Sequence, residues 1–167
     1  MSLMHKRRCF LHNVLLLLAA SVSLACTAET VTVRGDSLAP LVNAGQELSA
    51  LPPGCATIER GDLVAFKTSA HTQASVIKRV EGLPGDKLAV KENGTVDVNG
   101  APALAADGKP YIATAQGQRM IGLYAGTIPA NAYLVLGNPG ALDSSRIGLI
   151  PATEITFIVK AASLRGK

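Results

Sequence analysis

Lys78 stands where a lysine is out of place. The run Ser75-Val76-Ile77-Lys78-Arg79-Val80-Glu81 has the alternation of a β-strand, whose side chains point to two faces in turn. Val76, Lys78 and Val80 then share one face, and Ile77, Arg79 and Glu81 the other. A lysine on an apolar face loses hydration of its ammonium form, so its pKa falls and the neutral amine becomes available near neutral pH. A neutral amine can take the proton of a serine hydroxyl. By itself the position also suits a lysine that blunts a sheet edge or reaches its head back to water.

The serine that fits is Ser37, in Val33-Arg34-Gly35-Asp36-Ser37-Leu38-Ala39-Pro40. A bend at Gly35, directly after a strand, exposes a hydroxyl and leaves backbone N–H groups free to bind an oxyanion. A Gly-Asp-Ser turn is also a common structural turn. The competing base is His71, in the polar loop Thr68-Ser69-Ala70-His71-Thr72-Gln73, which would make a Ser-His-Asp arrangement. Lys78 is the better base, because its strand position provides the desolvation a lysine requires.

These residues need a scaffold, and from about residue 30 the chain reads as β. Val31 to Arg34, Asp62 to Phe66, the Lys78 run and Lys87 to Lys91 are strand-like. Asn93-Gly94 joins the last of these to Thr95-Val96-Asp97-Val98 as a hairpin with a primed turn. Ala132 to Leu136 and Ile155 to Val159 complete the set, with Gly-Asp and Pro-Gly pairs between elements. Residues 101–126, rich in Ala and Gly, read as a loop excursion with one weak strand from Tyr111 to Thr114. Short strands with turn signals predict an all-β fold, a compact barrel or folded-over sheet.

The N-terminus has a separate logic. His5-Lys6-Arg7-Arg8 flanks an apolar run, residues 14–25, that ends in Ser23-Leu24-Ala25. That order is the pattern of a secretory signal or a short membrane anchor, an apolar helix with its basic flank in the cytoplasm. Retention and cleavage after Ala25 are both open. Residues 1–28 are expected to form this segment and residues 29–167 the functional domain, on its exported side. Only about ten residues, at most about 35 Å of extended chain, separate the apolar run from Ser37, which keeps the site near the membrane. The net charge of +4 falls to +1 once Lys6, Arg7 and Arg8 are set aside, and aromatic residues are few. Nucleic-acid binding therefore has no electrostatic footprint. In an exported space Cys26 and Cys55 either pair or stay as two unrelated thiols. No Cys-x-x-Cys or His/Cys cluster calls for a metal, and no cofactor is expected.

Ser37-Leu38-Ala39-Pro40 resembles the Ser-Met-x-Pro nucleophile box of the signal peptidase I family of serine peptidases. Arg60-Gly61-Asp62-Leu63-Val64-Ala65-Phe66 resembles its Arg-Gly-Asp-hydrophobic-Phe strand. Ile77-Lys78-Arg79-Val80-Glu81-Gly82-Leu83-Pro84-Gly85-Asp86 is similar to the box whose first lysine is the general base. Tyr133 to Gly137 and Asp143-Ser144-Ser145 fall in order near the family's last box. The resemblance implies coiled antiparallel sheets, a Ser37/Lys78 dyad, exported precursor proteins as substrates and a periplasmic catalytic domain at the inner membrane.

The departures fall around the dyad. Leu38 replaces methionine, and Gly35 stands where some members place a serine at the oxyanion hole, which throws more of that work onto the Ser37 backbone N–H. The family's lysine-orienting serine corresponds to Ala141, and its arginine to Ser145, leaving Ser144 or Ser145 as substitutes beside Asp143. Only 46 residues lie between Asp86 and Tyr133, too few for a large accessory domain. In this the chain looks like the pilin-maturation peptidases of conjugative transfer systems, some of which close their product into a ring. The altered Asp143 box also supports a different reading, a non-catalytic assembly factor of a conjugation or secretion system.

Overall fold

The structure, a computed structural model, describes residues 26–67 and 75–164. Strands β1 (Glu29–Thr32) and β2 (Glu47–Ala50) pair as an antiparallel hairpin, and the loop between them carries Ser37. Strands β3 (Leu63–Phe66) and β4 (Val76–Gly82) follow, the second being the Lys78 strand. The predicted hairpin forms between β5 (Lys87–Val90) and β6 (Val96–Val98), but not on a primed turn: Asn93 is not at positive φ, the Gly94 N–H donates to Lys91 O at 2.8 Å, and Gly94 takes φ 84° just after a turn centred on Glu92-Asn93. Next come β7 (Ala101–Pro102), helix α1 (Ala115–Gly122), β8 (Gly126–Thr127) and β9 (Ala132–Leu136). A single-turn helix α2 (Ser144–Ile147), β10 (Ile150–Pro151) and β11 (Ile155–Val159) complete the order.

Besides the hairpin there are two sheets, both antiparallel throughout: β10-β9-β4-β3-β11 and β7-β6-β5-β8. The all-β expectation holds. The five-stranded sheet is apolar on both faces. Val64, Phe66, Val80 and Val135 pack on one side with Ile150 and Ile158, while Leu63 and Val159 meet the hairpin's Val33, Leu48 and Ala50 on the other. The hairpin is also sewn to β11 by reciprocal backbone bonds of 2.8 Å between Leu51 and Ile158. At its base Cys26 and Cys55 form a disulfide, which settles the pairing that the sequence left open.

The excursion after β6 corrects the sequence reading. Tyr111 to Thr114 contributes one isolated bridge, Thr95 to Ile112, and the following residues turn into helix α1. The Thr114 hydroxyl caps it by accepting from the Gly117 N–H. Two glycines in eight residues hide this helix from propensity. It forms because Gly117 and Ile121, four apart, bury one face, so packing overrides intrinsic preference. The apolar helix expected over residues 14–25 and the competing base His71 both lie outside the described residues. Among the described residues, no helix is long and apolar enough to cross a membrane.

Candidate active site

The bend that carries Ser37 is built by its neighbours. Val33, just past β1, donates its N–H to Gln46 O, and Gly35 then takes φ 77°, which only glycine adopts freely. Leu38, 1% exposed, plugs the cluster beneath the hairpin, and its burial fixes the adjacent Ser37 at the surface of that cluster. Leucine does here what the family's methionine would, as a swap of similar volume should. Among the described residues the Ser37 N–H has no acceptor.

Lys78 pairs with Val64 in the sheet and shares its face with Val76 and Val80, as the alternation predicts. It is 3% exposed. Its Nζ donates to Ser37 Oγ at 2.7 Å and to the carbonyl of Ile77 at 2.7 Å. Burial lowers its pKa from 10.5 to about 8, and the negative charge of Asp143 works against that fall. The two residues nominated from sequence are thus in hydrogen-bond contact, and burial brings the lysine's pKa down to about 8.

The end of β9 closes on this pair. A Cβ at Gly137 would sit 2.7 Å from the Ser37 carbonyl oxygen and 2.9 Å from Lys78 Cδ, so only glycine fits. Asn138 donates its backbone N–H to the Ser37 carbonyl at 2.7 Å and its side-chain Nδ2 to Ala39 O at 2.8 Å. Behind them Asp143, fully buried, caps α2. It accepts from Ser145 N–H and Oγ at 2.9 and 2.7 Å, from Gly137 N–H at 3.1 Å, and from Tyr111 Oη at 3.1 Å. Burial is the larger influence and raises its carboxyl pKa, with these neutral donors opposing the rise.

Two further motif segments join nearby: Arg60 donates to Asp86 Oδ2 at 2.7 Å and to the Glu81 carbonyl, tying one predicted box to another. The family model described as "Signal peptidase, peptidase S26" matches residues 6–163. The chain belongs to this signal peptidase family. Signal peptidase IB of Staphylococcus aureus strain COL is 31% identical over 143 residues, covering 74% of this chain and 71% of that protein. The same protein of strains Mu50 and N315 matches to the same extent. Among solved structures, a signal peptidase I from Enterococcus faecalis V583 is 22% identical with a TM-score of 0.44, covering 63% of this chain and 98% of that one.

In this signal peptidase family member, a cleft of about 430 Å³ opens beside the serine–lysine pair. Its walls include Val31 and Val33 of the hairpin side and Ala65, Val76, Ile77 and Phe157 of the sheet side. Neither Ser144 nor Ser145 is hydrogen-bonded to Lys78. Ser144 Oγ accepts from the Val135 N–H at 2.9 Å, and Ser145 Oγ is held by Asp143 and lies 3.0 Å from Tyr111 Oη. Besides Ser37 Oγ, the acceptor that Lys78 Nζ meets is the Ile77 carbonyl. Backbone groups leave no signature in side-chain type, so sequence reasoning had no means of finding it. Gly137 ends one of the motif segments but carried no role there, and Asn138 lies just past it. Tyr111 was read only as part of a weak strand, and no spacing rule links it to a residue 32 positions away.

Proposed function

We propose that this chain is a membrane-associated serine endopeptidase that cleaves exported precursor proteins, with Ser37 as nucleophile and Lys78 as general base. The observation that carries it is the 2.7 Å contact between Lys78 Nζ and Ser37 Oγ, made by a buried lysine whose pKa is lowered to about 8. At pH 7 roughly a tenth of such lysines are neutral, against fewer than roughly one in a thousand at the ordinary value. Neutral Lys78 takes the Ser37 proton as Oγ attacks the scissile carbonyl. The oxyanion is held by the Ser37 N–H, and Lys78 returns its proton to the leaving amine as the C–N bond breaks. Attack by water on the acyl-enzyme, with Lys78 again accepting a proton, releases the new carboxyl end.

The apolar cleft suits an extended segment with small or apolar side chains before the scissile bond. Residues 29–167 act as the catalytic domain, on the periplasmic side of the inner membrane, with residues 1–28 as signal or anchor. The short connection between Asp86 and Tyr133 favours pilin precursors of a conjugative system as substrates, and there an amine in place of water would close a ring.

The test is co-expression with candidate pilin and secretory precursors, read by intact mass for wild type, Ser37→Ala and Lys78→Ala. Processing by wild type that disappears in both variants supports the dyad, and a product lighter by one further water marks cyclisation. Processing that survives Ser37→Ala overturns the nucleophile assignment, whereas the same unprocessed masses with all three proteins favour the non-catalytic assembly factor. Activity that survives only Lys78→Ala moves the base to His71.

A further inference from the structure

Asp143 is a fully buried carboxylate that makes no ion pair among the described residues. Four neutral donors hold it, and only one comes from outside the end of β9 and the start of α2: the hydroxyl of Tyr111. Tyr111 is itself 1% exposed, so its hydroxyl is committed to this network. The same excursion presses on the network a second time. Gly117 of α1 lies so close to Ser145 that a Cβ there would be 3.0 Å from the Ser145 Cβ and 3.4 Å from its Oγ. The contacts then continue toward the dyad. Asp143 Oδ2 receives the Gly137 N–H, and Gly137 lies flush against the Lys78 stem and the Ser37 carbonyl.

Resting on the peptidase reading above, we propose that Tyr111 is a positioning residue for the Ser37/Lys78 pair, acting through Asp143 and Gly137. The excursion from residue 101 to 126 thereby belongs to the catalytic apparatus, although it makes no hydrogen bond to the serine or the lysine. Two consequences follow from the contacts. Without the Tyr111 hydroxyl the Asp143 carboxylate has one donor fewer, and the backbone it holds at Gly137 loosens against Lys78. The carboxylate also binds a proton more readily, because the Tyr111 hydrogen bond is one of the contacts that favour its ionised form. Lys78 feels Asp143 as its nearby negative charge. The other groups around the lysine are the Ser37 hydroxyl and the Ile77 carbonyl, with Arg34 lining the same cleft.

The experiment compares wild type, Tyr111→Phe, Asp143→Asn and the double variant of the full chain. Each is labelled with 13C at the lysine ε-carbon, and the Lys78 titration is followed by NMR alongside precursor cleavage over the same pH range. In Asp143→Asn the Lys78 midpoint falls, because the charge that raises it is gone. In Tyr111→Phe it falls by a smaller amount, kcat drops about ten-fold and KM is unchanged, the loss expected for one hydrogen bond to a charged group. In the double variant Tyr111→Phe adds less than about two-fold, since its path runs through Asp143. A wild-type midpoint and kcat in Tyr111→Phe, or losses that multiply in the double variant, would overturn the proposal. Should Tyr111→Phe not fold, Ser145→Ala removes the neighbouring hydroxyl of the same network and is read the same way. Coupled titration without cleavage of any precursor overturns the peptidase reading and leaves the coupling standing. Cleavage with an uncoupled titration overturns the coupling alone.

Discussion

The backbone N–H of Asn138 donates to the carbonyl oxygen of Ser37 at 2.7 Å, so the residue proposed as nucleophile is gripped from the far end of the chain. The Asn138 side chain adds a second bond, to Ala39 O at 2.8 Å. The hairpin loop and the end of β9 are thereby held in register, and the Ser37 hydroxyl reaches Lys78 without a rearrangement. Asn138→Ala keeps the first bond and loses the second. Cleavage kinetics should show kcat lower by about three- to ten-fold with KM little changed, as expected for one neutral hydrogen bond of about 1 kcal/mol. An unchanged kcat would mean that the backbone bond alone positions the serine.

Gly137→Ala is the more severe change. Its methyl would be placed 2.7 Å from the Ser37 carbonyl and 2.9 Å from Lys78 Cδ, and the first of these is backbone. Either the serine loop or the lysine must shift. Overpacking of this kind costs about 1–3 kcal/mol of stability. Because the displacement falls on the reacting pair, activity should fall by more than about 100-fold in protein that still folds, a comparison made by thermal melts beside initial rates.

The pH profile follows from the depressed Lys78 pKa. The active form is the neutral amine, so kcat/KM of the free enzyme should rise with pH through a limb near 8. A limb well below 7 with Lys78 intact would point to another base.

The lysine that serves the proposed reaction costs stability. Its folded pKa, about 8, lies below its ordinary value of 10.5, so between those values the unfolded chain binds more protons. Stability from this group therefore rises as pH increases through that window, and the full penalty applies below it. Lys78→Met should make the protein more stable at pH 7, by about 2 kcal/mol once the lost hydrogen bonds are allowed for, while abolishing cleavage. The gain should fade above about pH 10, where lysine is neutral in both states. Urea melts at both pH values give the comparison, and greater stability for wild type at pH 7 would contradict the burial argument.

The Cys26–Cys55 disulfide spans 29 residues of sequence and closes the base of the hairpin that carries Ser37. In the chain-entropy account a loop of this length is worth roughly 3–4 kcal/mol. Reduction, or Cys55→Ser together with Cys26→Ser, should lower the urea midpoint by a corresponding amount. The hairpin keeps its backbone bonds to β11 and its buried face on the sheet, so activity of the folded fraction should persist.

The sequence by itself determined which residues form the candidate pair and most of the strands. Alternation put Lys78 on the apolar face of β4, and Gly35 marked the bend beside Ser37, because period-two patterning and positive φ are local properties written in residue type. The hairpin at Asn93-Gly94 was legible for the same reason. Tertiary structure alone decided which groups serve the pair. Ile77 accepts from Lys78 Nζ through a carbonyl, a group that every residue possesses. Tyr111 reaches Asp143 because α1 and the excursion before it fold under β9, and no local pattern encodes that. Ser144 and Ser145, natural candidates to hold the lysine, are turned instead toward Val135 and Asp143 by the cap of a one-turn helix. Residue types set what chemistry is available, but which donor meets which acceptor depends on contacts between segments far apart in the chain, and those exist only once the sheets have packed.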